Sequence, residues 1–147
     1  MTLEALITAF TDLTEAERQA FQDNSAEVRY RSGDQIIKEG QPPEAILVIT
    51  EGCVRVTHSL PTGGGAEFVN PLGPGEIIGE MSFVDGQGAS ATLFADGDVV
   101  VSRLGYGFLK QMIEDDTGFA ARFHQSLLKV QVKRLRATNS RITLPFA

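Results

Sequence analysis

Hydrophobic positions along the chain change their period twice. Leu3, Leu6, Ile7 and Phe10 fall at helical spacing, and Thr14-Glu15-Ala16-Glu17 then reads as a capping box. In such a box the Thr14 hydroxyl and the Glu17 carboxylate each satisfy a backbone amide that the helix start leaves free. Ala16, Ala20 and Phe21 are the expected apolar side of that second short helix. From Val28 to Leu104 the apolar residues come instead in short β-branched runs, at 28–30, 36–38, 46–50, 54–58, 67–70, 77–78, 91–95 and 99–103. Turn signals separate them, among them Ser32-Gly33-Asp34, Gln41-Pro42-Pro43, Glu51-Gly52, Gly73-Pro74-Gly75 and Asp96-Gly97-Asp98. Eight short strands at such intervals predict an antiparallel jelly-roll or barrel rather than βαβ units.

After Arg103 the helical period returns. Phe108, Leu109, Met112 and Ile113 suit a short helix that residues 115–118 interrupt, and a long helix over 119–142 follows, stopped by Pro145. The expected class is therefore mainly β with flanking helices: N-terminal helices over 1–23, an eight-stranded β-roll over 26–104 and C-terminal helices over 105–143. With neither a linker nor an internal repeat, residues 1–147 read as one domain. Phe119, Phe123 and Leu127 are expected to pack on the roll. On another face Gln125, Val132 and Asn139 fall at heptad position a, and Leu128, Leu135 and Ile142 at d. That seam fits a parallel two-stranded contact in which Asn139 fixes register; a helix folded wholly onto its own domain is the alternative.

Composition narrows the classes. A chain of 147 residues with 42% hydrophobic positions can bury a sizeable core without metal or disulfide help. No apolar run is long enough to span a bilayer, and the N-terminus lacks the shape of a signal peptide, so the cytoplasm is the expected compartment. Cys53 stands alone, and His58 and His124 are the only histidines, which leaves no metal-ligand spacing and no catalytic triad. Thr62-Gly63-Gly64-Gly65 lacks the ending of a phosphate loop and reads as a hairpin tip. No enzyme is expected. Charge is uneven: all 19 acids lie at or before Asp116, against 7 cations there, while the tail carries Arg122, Lys129, Lys133, Arg134, Arg136 and Arg141 with no acid. A basic helix can serve nucleic acid or a membrane surface; the plainer expectation is that it lies against its own acidic body.

Three blocks carry a family resemblance: Ser32-Gly33-Asp34-Gln35-Ile36-Ile37-Lys38-Glu39-Gly40, then Ala45 through Val56 with Glu51-Gly52 inside it, then Leu72-Gly73-Pro74-Gly75-Glu76-Ile77-Ile78-Gly79-Glu80-Met81-Ser82-Phe83. In this order and spacing they resemble cyclic-nucleotide-binding domains, over about 28–142. The resemblance implies a ligand-driven switch whose phosphate-binding cassette is residues 79–92. It implies ligand contacts from Ile78, Gly79, Glu80, Met81, Ser82, Ala89, Ser90, Ala91 and Thr92, with Glu80 meeting a ribose hydroxyl and Ser90 and Ala91 meeting the phosphate. The long helix resembles the dimer helix of catabolite-activator-type regulators, which puts Thr138 and Asn139 at base-contacting positions. Cyclic AMP or cyclic GMP is the implied ligand, with no resident cofactor.

One position departs from the pattern. The family has arginine before Ser-Ala-Thr, and this chain has Ala89. A charge-assisted hydrogen bond to an anion contributes about 1.5–3 kcal/mol, and an unpaired phosphate in a partly dry pocket adds a desolvation cost. Affinity is thus expected to fall by about 10²-fold or more unless Arg103 or an arginine of the long helix compensates. The sequence therefore predicts a stand-alone sensor with weak or altered nucleotide binding, signalling through its C-terminal helix as a homodimer. A degenerate dimeric adaptor for a protein partner, or a sensor of another anion such as a cyclic dinucleotide, are the other readings. Ala147 follows five residues after Ile142, so no helix-turn-helix domain is expected.

Overall fold

The structure, a computed structural model, describes residues 2–67 and 71–141. In chain order it has α1 (Leu3–Ala9), α2 (Glu15–Asn24), β1 (Ala26–Tyr30), β2 (Gln35–Ile37), β3 (Ala45–Ser59), β4 (Gly65–Glu67), β5 (Ile77–Ile78), α3 (Glu80–Asp85), β6 (Thr92–Gly105), α4 (Tyr106–Asp115) and α5 (Thr117–Arg141). The strands form one antiparallel sheet in the order β1-β6-β3-β4, with β2 paired to β6 and β5 to β3.

Each of the eight predicted runs meets a strand, but among the described residues they make six. The runs at 46–50 and 54–58 join as β3, and those at 91–95 and 99–103 join as β6; residues 68–70 lie outside the described residues. Glu51-Gly52 and Asp96-Gly97 are bends within long strands instead of chain reversals. The β3–β6 ladder runs from Ala45↔Gly105 to Thr57↔Thr92 and merely shifts register around Glu51. Gly52 has φ +91°, and a Cβ there would lie 2.3 Å from the Asp98 carbonyl oxygen. Close approach of the two strands at the bend thus demands glycine.

Alternation along the strands sorts side chains into two cores. Leu47, Ile49, Val54, Ile78, Leu93, Val99 and Val101 fill the inside of the roll. Ile46, Val48, Ile77 and Leu104 face the helices, where they meet Leu6, Phe10, Phe21, Leu109, Phe119, Phe123 and Leu127. Phe123 is central, with the rings of Phe10, Phe21, Phe83 and Phe119 centred 5.8, 6.0, 5.8 and 5.4 Å away.

Both halves of the Thr14 capping box form: the Thr14 amide donates to Glu17 Oε1 at 2.9 Å and the Glu17 amide to Thr14 Oγ1 at 3.2 Å. The apolar side of α2 differs from expectation, because Ala16 is exposed and Glu17 is buried beside Phe21. The reason is a long-range partner. Arg122 donates to both Glu17 oxygens, at 2.9 and 2.7 Å, and with Thr14 holds that carboxyl below the usual carboxylate range. Lys129 likewise reaches Asp12 at 2.7 Å. The basic tail therefore lies in part against the acidic body. The Lys129–Asp12 pair is too exposed to add much stability; both pairs orient α5. Among the described residues no helix is long and apolar enough to cross a membrane.

Candidate functional site: a cavity between the roll and the long helix

β5 is followed by Gly79, where φ is +84° and a Cβ would lie 2.7 Å from the Ala45 carbonyl oxygen. Only glycine suits both the left-handed backbone and that approach. The turn sends the chain into α3, and Glu80, its first residue, is 2% exposed. After α3 the loop to β6 is clamped by the loop that follows β2. Gly88 lies against Gly40, with the Gly40 amide donating to the Ala89 carbonyl at 2.8 Å and the Ala89 amide to the Gln41 carbonyl at 3.0 Å. Thr92 Oγ1 accepts from the Glu39 amide at 3.0 Å, and His58 Nδ1 lies 2.8 Å from the Ser90 carbonyl.

This folding brings Ile78, Gly79, Glu80, Met81, Ser82, Ala89, Ser90 and Ala91 around one cavity of about 110 Å³. Thr92 does not line it, and its hydroxyl is already engaged by the Glu39 amide. Thr138 and Asn139 are exposed on α5 and do not line it. The Ser90 and Ala91 amides make no hydrogen bond among the described residues, so the loop keeps two donors for an anion.

The structure adds a cation that spacing could not place. Arg134 of α5 lines the cavity, donates to Glu80 Oε1 and to the Ile77 carbonyl, and lies 3.4 Å from Glu76. Its Nε is buried without a hydrogen-bond partner among the described residues. Gln131, one turn earlier, donates to the same Glu80 Oε1 at 2.8 Å. Both bonds end on Oε1, so Oε2 keeps its acceptor capacity. Tyr106, at the start of α4, donates its hydroxyl to the Gly79 carbonyl. Burial, with the Glu80 and Asp85 charges, pushes that phenol up to about 12, so it stays a donor. Arg103, the other compensating candidate, lies outside this cavity. Sequence reasoning missed Gln131 and Tyr106. A faint signal existed: Gln131, Arg134 and Thr138 recur at three and four residues and share one helix face.

The profile of the cyclic nucleotide-binding domain matches residues 27–116. The chain belongs to that family. It is 28% identical over 136 residues to a cAMP-dependent protein kinase regulatory subunit of Dictyostelium discoideum, covering 92% of this chain and 41% of that protein. A cyclic nucleotide-binding domain from Methylobacillus flagellatus KT superposes with a TM-score of 0.86 at 26% identity, over 97% of this chain and 84% of its own. The N-terminal domain of a transcriptional regulator from Streptomyces coelicolor A3(2) gives 0.69 at 30% identity, over 93% and 94%. This cyclic nucleotide-binding domain spans less than half the length of the curated relatives it matches. Within the family pattern, its cassette has Ala89 where arginine is expected and Arg134 across the cavity.

Proposed function

We propose that the chain is a non-catalytic cytoplasmic sensor that binds a cyclic nucleotide in this cavity and signals through α5. The observation that carries the reading is Arg134 on the cavity wall. It offers the phosphate a counter-charge from the long helix in place of the one missing at Ala89. Glu80 Oε2 accepts a ribose hydroxyl, while the Ser90 and Ala91 amides face the phosphate. A ligand that draws Arg134 away from Glu80 and Ile77 favours one placement of α5 over another, the differential affinity a population shift requires. Tyr106 extends the same coupling to α4. An Arg134 engaged by Glu80 is a costlier anchor than a free arginine, which supports weaker affinity than the full family pattern gives.

Calorimetric titration with cyclic AMP and cyclic GMP tests this. Wild-type protein is expected to bind one of them with micromolar affinity, and Ala89→Arg to bind about tenfold to a hundredfold tighter, the worth of one charge-assisted hydrogen bond. No heat from either protein contradicts the sensor reading and favours the adaptor.

Support for a homodimer comes from α5. Leu128, Val132 and Leu135 are 57%, 43% and 60% exposed, whereas Phe119, Phe123 and Leu127 of the same helix are buried. Gln125 and Asn139 are exposed on the seam, and Ile142 lies outside the described residues. Leu135→Glu is expected to sediment as a monomer; a variant that still sediments as a dimer contradicts the seam.

A further inference from the structure

The inner face of the roll carries a charge at a core position. Along β6 Val99 and Val101 are fully buried in the inner core, and Arg103 follows at the same parity, opposite Leu47 of β3 and Ala26 of β1. Arg103 is half-buried and makes no hydrogen bond or ion pair among the described residues. A guanidinium among apolar neighbours costs desolvation that a partner normally offsets. It lines a second cavity, of about 250 Å³, with Tyr30, Lys38, Ile36, Ile37 and Leu47. Ile37 and Pro43 belong to the walls of both cavities, so the two adjoin without sharing their charged groups.

The chemistry of this lining is one-sided. Lys38 also makes no ion pair among the described residues, and the Tyr30 hydroxyl is kept protonated because burial raises its pKa. Ile36, Ile37 and Leu47 give an apolar floor. Glu44 is the single acid of the lining; it is exposed and pairs with neither cation. At about 250 Å³ the space suits a small organic molecule. We infer that this cavity is a second binding site, for a small organic anion whose carboxylate or phosphate group meets Arg103 and Lys38 and whose apolar body lies on Ile36, Ile37 and Leu47. The site is independent of the nucleotide reading of the cassette.

The probe is 2-naphthoate, with 2-naphthalenemethanol as its uncharged counterpart, each titrated into the full chain while amide chemical shifts are followed by NMR. Naphthoate is expected to move the amides of residues 36–47 and 103 saturably, and the alcohol to bind about tenfold more weakly or not at all. Arg103→Gln is expected to cost naphthoate about tenfold or more, with Arg103→Lys recovering part of the loss. Should Arg103→Gln fail to fold, Lys38→Gln, at an exposed position, must weaken naphthoate measurably. Equal binding of acid and alcohol overturns the inference, as do shifts confined to α5 or the cassette, or an Arg103→Gln variant that binds like wild type.

Discussion

Arg134→Ala is expected to lower the thermal unfolding midpoint by roughly 6–12 °C. Removing one partner of a buried ion pair costs about 3–5 kcal/mol, because the other charge stays buried without its counter-ion. Here the low end applies, since Arg134 is 29% exposed and Gln131 still donates to Glu80. At about 2–4 °C per kcal/mol for a chain of this size, a loss of ~3 kcal/mol gives the stated shift. The pair makes a second demand. Glu80→Gln combined with Arg134→Ala is expected to recover most of the loss, because the double variant buries no uncompensated charge. Differential scanning calorimetry on the wild type and the two variants measures this, and a single Arg134→Ala variant that melts with the wild type means Glu80 does not depend on α5.

Phe123→Ala is expected to be costlier still, at about 4 kcal/mol, within the 3–5 kcal/mol range for emptying a core phenylalanine site. The ring is fully buried and touches aromatic rings from four directions, so the neighbours cannot all collapse into the space. Two of the partners matter for function. Phe10 belongs to the N-terminal segment, and Phe83 stands on α3, three residues after Glu80. Phe123 thus joins α5 to the cassette helix by packing, in parallel with the polar link through Arg134. Urea unfolding should show the loss, with Phe123→Leu recovering more than half of it. A change under about 1 kcal/mol in Phe123→Ala contradicts a tightly packed junction.

Much of this molecule was legible because short-range pattern decides it. Strand runs, the Thr14 capping box, the break between α4 and α5 and the buried face of Phe119, Phe123 and Leu127 all follow from periodicity and turn chemistry. What was not legible depends on partners far away in sequence. Gly52 reads as a turn locally, yet the β3–β6 ladder carries both strands through the bend. Ala16 loses the buried side of α2 to Glu17 because Arg122, 105 residues later, neutralises that carboxylate. The same holds in the cassette. The family resemblance grouped Gly79, Glu80 and Ser90 in one cassette, but no spacing could show that the Thr92 hydroxyl serves the Glu39 amide. Nor could it show that Arg134, and not Arg103, faces Glu80.

In the proposed sensor the cation serving the cassette is Arg134 of the long helix, with alanine at position 89 of the loop. Calorimetric titration of cyclic AMP into wild type, Arg134→Gln and the double variant Ala89→Arg/Arg134→Gln tests it most directly. Binding by the wild type is expected, with a loss of about 10²-fold in Arg134→Gln and recovery when arginine is supplied at position 89. Arg134→Gln binding as tightly as the wild type would contradict it.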